Sequence, residues 1–288
     1  MRHLLTLIVI ALFLASCQAG GSHDTPISTI EKHASRCYLV ITGHDTTYLE
    51  NKLDIEWPAS GQLRQSTETE MLRRLIGDST SSTIEEACAK HLNQIWVVDN
   101  ETPTTVEAID DSAITEENSY HYLTTTCRND AELLHMTAFS QIYDVAGVHG
   151  SYDFQSVTYD RKRKKFIEIS DLLDTNTLRL VIRRAIDELD ENNDVKESLY
   201  ERYDTEYMTQ LYEQVKGTPD SAIYEAYPEP LPLNFTFEIG KQRTQILLTY
   251  PLYSIAPYSC GIQTVVMPIA WLSQQVELTS YAKKLFKL

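Results

Sequence analysis

The 288-residue chain carries 41 Asp and Glu against 25 Lys and Arg, a formal net charge of −16. That balance argues against nucleic acid as a partner, since neutralising phosphates takes clustered basic side chains, and it is compatible with a cationic partner drawn in by long-range attraction. No phosphate loop, G-x-S-x-G, H-E-x-x-H or G-x-G-x-x-G occurs, so no catalytic motif is legible and neither metal nor cofactor is expected.

Met1-Arg2-His3 is a short cationic start, and Leu4 to Leu14 is apolar except for Thr6. This run is too short to cross a bilayer, which needs roughly 20 apolar residues. Leu14-Ala15-Ser16-Cys17 has the form of a lipobox. Residues 1–16 are therefore expected to be a lipoprotein signal peptide, with Cys17 as the lipidated residue. Residues 17–34, rich in small and polar side chains at their start, read as a flexible tether. Gln18, not Asp, follows the cysteine and favours an outer-membrane address in a bacterial envelope. The expected membrane contact is the lipid alone.

Residues 35–118 read as an N-terminal α+β subdomain. Arg36–Thr42 and Thr47–Trp57 flank Gly43-His44-Asp45, a hairpin pattern. Ser66 is placed to cap a helix through Ile76 that Gly77 closes, and Ser82 or Thr83 to cap one reaching Trp96. His91, on the apolar face of that second helix, reads as a structural histidine. Asp99–Asn118 is acidic and turn-rich, a surface loop or linker.

Residues 119–288 read as a C-terminal α+β domain. Tyr120–Thr126 and Glu132–Val145 are β-rich, the latter without clean alternation, which suggests a bulge. After Gly147-Val148-His149-Gly150, the run Tyr152, Phe154, Ser156, Thr158 shares one strand face, and Val157 and Tyr159 the other. Arg161–Lys165 reads as a solvated basic tip, and Ser170 as the cap of a short helix. Thr177–Asp190 and Val195–Lys216 follow helical spacing. Asp190, Asn192, Asp194 and Glu201 fall at positions 1, 3, 5 and 12 of a calcium loop, but Val195 replaces its obligatory glycine. Asn234–Ile239 and Gln245–Tyr250 form a hairpin around Gly240-Lys241, Gln263–Met267 is a strand, and Pro268 opens a helix. Strands and helices without βαβ alternation make the fold class α+β, with antiparallel sheets and packed helices.

Beyond Cys17, four cysteines remain: Cys37, Cys88, Cys127 and Cys260. They permit two disulfides in any of three pairings, or four free thiols.

The order glycine-x-His-Gly, aromatic strand, Asp with a basic turn, strand and Asp171-Leu172-Leu173 resembles the RsiV-like extracytoplasmic domain. Tyr250-Pro251-Leu252-Tyr253-Ser254-Ile255-Ala256-Pro257-Tyr258-Ser259-Cys260-Gly261 is similar to a second block of that family. The resemblance implies a binding module, found both in a lysozyme-sensing anti-sigma factor and beside polysaccharide deacetylases. The metal-binding histidine pair of the deacetylase is missing, so that activity does not carry over. The expected partner is a cationic protein such as lysozyme, or a cell-wall glycan. A cell-wall enzyme with an unrecognised site is the alternative. His149, Tyr152 and Tyr258 are the candidate binding residues, because aromatic side chains on irregular backbone suit recognition. Packing roles for the same three are the competing reading.

Overall fold

The computed structural model of the protein describes residues 25–43, 45–96, 104–110, 112, 118–145, 149–191, 194–200, 203 and 231–288. The lipobox, residues 17–24 of the expected tether, Gly147, Val148, Asn192, Glu201 and most of the expected helix Val195–Lys216 lie outside the described residues, while residues 29–34, also expected to be tether, belong to the first strand.

Two long strands, β1 (Thr29–Thr42) and β2 (Asp45–Pro58), pair antiparallel across Gly43, whose φ of 64° suits a tight reversal. Both are longer than expected. Their outer ends are polar, and ladder hydrogen bonds continue where apolar alternation stops. Helix α1 (Gln65–Ile76) follows and ends at Gly77 with φ 69°. Its N-cap is Arg64, with no side-chain cap bond, so Ser66 sits inside the first turn instead of capping it. Helix α2 (Ile84–Asn93) starts as expected, with Thr83 Oγ1 accepting from the Glu86 N–H. It stops three residues before Trp96. There, buried Asn51 donates to the carbonyls of Leu92 and Gln94 and accepts from Trp96 Nε1, drawing the chain out of the helix.

The stretch expected to be loop contains β3 (Thr104–Ile109), which pairs along β1 as an edge strand. Its side chains are partly or fully exposed throughout, so it lacks the apolar alternation that betrays a half-buried strand. Next come β4 (Ser119–Asn129), β5 (Leu133–Tyr143), β6 (Ser151–Asp160) and the short β7 (Lys165–Phe166). With β1 to β3 they complete one seven-stranded sheet, in the order β3-β1-β2-β4-β5-β6-β7. One pair, β2 with β4, is parallel, so the sheet is mixed where antiparallel pairing was expected. The expected subdomain boundary at residue 118 falls between these two hydrogen-bonded strands.

The β5 register runs one-to-one against both neighbours, without the expected bulge. Its alternation is blurred because Leu134, Met136 and Ala138 face α1 and α2, while Leu133 and His135 are buried on the opposite side. Helices α1 and α2 press Met71, Leu72, Leu75, Ala87 and Cys88 onto Leu53, Ile55, Trp57 and Val157, making one core.

The other core gathers around a smaller antiparallel sheet, β8 (Thr236–Ile239), β9 (Gln245–Tyr250) and β10 (Gln263–Pro268), ordered β10-β9-β8. Packed with it are α3 (Ile169–Leu172), α4 (Leu178–Leu189), α5 (Asp194–Ser198), α6 (Ile269–Gln275) and α7 (Ser280–Leu285). A capping box between Glu168 and Asp171, not Ser170, starts α3. The molecule is α+β.

The two sheets are tied by polar contacts. His135 Nδ1 lies 3.0 Å from Thr158 Oγ1 and its Nε2 3.0 Å from Glu238 on β8, while Ser156 Oγ donates to the Phe237 carbonyl at 2.7 Å. Arg243, in the β8–β9 turn, spans to Asp130 (2.6 Å) and Glu132 (2.5 Å) in the β4–β5 turn.

Candidate functional site: an exposed aromatic platform

Alternation along the large sheet decides which side chains meet at its free end. Gln141 on β5 pairs with Tyr152 on β6, and Phe139 with Phe154, so these four share the face opposite α1 and α2. Tyr120 and Tyr143, paired across β4 and β5, stack on the same face with centroids 5.4 Å apart. Gln141 donates to the Tyr120 hydroxyl at 3.0 Å.

Against this strip comes the segment after β9. Ile255 and Ala256 are almost fully buried, and the Ile255 carbonyl accepts from the Tyr200 N–H at 2.8 Å. These two residues pin the segment, and the chain on either side turns outward. Before the pin, Ser254 N–H closes a turn on the Pro251 carbonyl, and Ser254 Oγ bonds Asn234. Within this turn Tyr253 adopts φ 60°, a left-handed conformation costly for a residue with a bulky side chain. After the pin, Pro257 leads into a single 3₁₀ turn, Tyr258–Cys260, that Gly261 ends at φ 71°.

The result is a cluster of four rings. His149 stacks on Tyr258 at 4.0 Å with 26° between planes. Tyr152 and Tyr253 each lie 5.7 Å from Tyr258, and Tyr253 lies 6.3 Å from His149. His149 Nδ1 is 2.9 Å from the Gly150 carbonyl, so that nitrogen carries the hydrogen. Nε2 then accepts from the Tyr253 hydroxyl at 3.0 Å. Loss of water contact, followed by the hydrogen bond with Tyr152, holds the Tyr258 phenol above its ordinary pKa. Phe139, 6.2 Å from Tyr152, continues the apolar surface toward the sheet.

All three residues singled out in the sequence thus meet in one place. Sequence reasoning missed Tyr253, which is 52% exposed and the outermost ring. No composition signal marks a tyrosine held at positive φ. Packing alone does not account for the site, because His149 and Tyr253 are exposed and Tyr152 and Tyr258 only half-buried. A platform of locked aromatic faces with phenol hydroxyls at its rim can stack on an apolar ring face and exchange hydrogen bonds around it.

The basic tip is a fastener. Arg161 donates to the carbonyls of Thr25 and Asp130, and Lys162 pairs with Glu132. Arg163 and Lys165 pair with Asp171, and Arg163 also lies 3.9 Å over the Tyr281 ring. Among the described residues no cluster of metal-ligating side chains is present and no helix is long and apolar enough to cross a membrane.

No protein-family model and no curated protein matches the sequence. Among the solved structures that match are two DUF3298 family proteins. A member of the DUF3298 family from Bacteroides fragilis aligns with TM-score 0.51 at 13% identity, over 90% of this chain and 96% of that one. A DUF3298 family protein from Pseudomonas aeruginosa aligns with TM-score 0.48 at 16% identity, over 90% and 98%. The likeness is one of fold.

Proposed function

We propose that this is a lipid-anchored protein of the bacterial cell envelope, a binding module that holds a cell-wall glycan on the platform of His149, Tyr152, Tyr253 and Tyr258. The carrying observation is the His149–Tyr258 stack at 4.0 Å, pinned from behind by buried Ile255 and Ala256 and left open in front. Rings fixed before binding lose little rotamer freedom on contact, so even a small stacking energy is realised as affinity. The lipobox at Cys17 supports the anchor and the outer-membrane address.

Calorimetric titration with soluble glycan strands tests the reading. Removing one stacking ring, by Tyr253→Ala or Tyr258→Ala, weakens binding about tenfold, the equivalent of about 1.4 kcal/mol. Unchanged affinity in both variants would refute the site.

The charge of −16 favours a second occupant, a cationic protein such as lysozyme. That occupant predicts binding that weakens steeply with salt, whereas stacking on a neutral glycan does not.

A further inference from the structure

On the opposite face of the large sheet, next to α1 and α2, lies a cleft of about 950 Å³ that the platform does not use. That volume falls in the range of small-ligand sites. Its floor is set by strand register: Leu123 pairs with Ser140 and His121 with Ile142, so His121 and Ser140 are diagonal neighbours on one face. Asp153, directly across from Ser140 on β6, joins them.

The protonation pattern of the floor follows from its contacts. His121 Nε2 is 3.0 Å from Ser140 Oγ, whereas its Nδ1 is buried with no partner among the described residues. An orphaned buried N–H costs more than an orphaned ring lone pair, so the hydrogen sits on Nε2 and points at Ser140. Burial, then the nearby His91 ring 4.3 Å away, pushes the His121 pKa down to about 4, which keeps the ring uncharged at neutral pH. Ser140 therefore accepts from His121 and is not activated by it. The pair is a fixture for hydrogen bonding and not a nucleophile with its base. The Ser140 hydroxyl hydrogen remains free to donate into the cleft.

Charge around the cleft is unevenly compensated. Arg73 is paired with Glu70, Arg74 with Glu70 and Glu168, and Lys90 with Asp78. Asp153 receives hydrogen bonds only from the Gln155 amide, at 3.1 and 3.2 Å, and no cation pairs with it among the described residues. A carboxylate without a counter-charge, beside a hydroxyl and an amide and backed by apolar Leu75, Leu123 and Ile142, describes one chemistry. We propose that this cleft binds a small polyhydroxylated ligand bearing an ammonium group, of the amino-sugar class, with Asp153 receiving the ammonium, the Ser140 hydroxyl donating to a ligand oxygen and the Gln155 amide oxygen accepting from a ligand hydroxyl. The site is independent of the platform.

Titrating the full-length chain with glucosamine, glucose and glucuronate, followed by calorimetry, tests it. The expected result is saturable glucosamine binding, at least tenfold weaker binding of glucose, and none of glucuronate. Asp153→Asn is expected to weaken glucosamine binding at least tenfold and Ser140→Ala by about threefold. Asp45→Asn, the same charge change on the exposed β1–β2 tip, is expected to leave it unchanged. Absence of glucosamine binding, equal binding of glucose, or loss in Asp45→Asn equal to that in Asp153→Asn would overturn the proposal. Should Asp153→Asn fail to fold, the glucosamine-to-glucose ratio and Ser140→Ala carry the decision.

Discussion

At Tyr253 the backbone accepts a left-handed conformation in order to present a half-exposed ring 5.7 Å from Tyr258. Strain of this kind persists only where surrounding structure fixes it, and here Ile255 and Ala256 do so from the core. His149 and Tyr258 were legible in the sequence because Gly150 and Pro257 beside them announce irregular backbone, and Tyr152 because it opens the alternating strand that follows the glycine corner. Tyr253 was not, since its conformation is imposed by the buried residues that follow it. The Ser140–His121 contact was equally hidden, because it arises from β4–β5 register, which no local pattern encodes. His121 also sets a residue-scale pH response. Its folded pKa, near 4, lies below the ordinary 6.5, so the unfolded chain binds the proton more readily between those values. Its contribution is present in full above pH 6.5 and is lost as pH falls toward 4. Thermal unfolding followed across that window is expected to show a falling midpoint, and His121→Gln is expected to flatten the decline.

Among the elements, β5 shows most clearly why pattern and structure part company. It is covered on one face by α1 and α2 and, at one end, by the small sheet on the other, so its alternation is lost although its register is regular. β3 fails in the opposite sense, as an edge strand with both faces wet. Hairpins with a glycine turn, and helices with a Thr cap or a Gly stop, were readable because those signals are local. The joint between the sheets rests on Arg243, whose side chain bridges Asp130 and Glu132. Arg243→Ala leaves both carboxylates without their guanidinium and is expected to cost about 1–2 kcal/mol in denaturant unfolding. Asp130 and Glu132 both have lowered pKa values: burial opposes the shift at Asp130, while hydrogen bonds to Leu133 N–H and Arg243 outweigh it, and Lys162 and Arg243 act on Glu132. Their stabilisation is thus present above the ordinary carboxylate range and lost below it. The variant is expected to lose less stability than the parent on acidification below pH 4. An identical acid profile would show that the bridge contributes nothing.

For the whole molecule, the α+β class was legible from the absence of βαβ alternation, but the single mixed sheet was not. The parallel β2–β4 contact joins strands separated by two helices and an edge strand, and long-range pairing leaves no mark in sequence. The cysteine alternatives resolve to four free thiols, Cys37 and Cys88 buried, Cys127 half-buried and Cys260 exposed. Burial, then the nearby Glu56 carboxylate, pushes the Cys127 thiol up to about 12, so it is a poor nucleophile at neutral pH. Thiol titration of the protein purified from cells, in denaturant, therefore checks two claims together. With Cys17 held in a thioether to lipid, four thiols react; an unmodified full-length chain gives five, the total in the sequence. Fewer than four would reveal a disulfide.

The central claim is that the aromatic platform is where the ligand sits. Ring resonances of His149, Tyr152, Tyr253 and Tyr258, followed by NMR as soluble glycan strands are added, test it most directly. Concerted, saturable shifts of these four rings, with the Tyr250 ring in the core unmoved, are the predicted result. Shifts spread evenly over the surface tyrosines, or none at all, would contradict it.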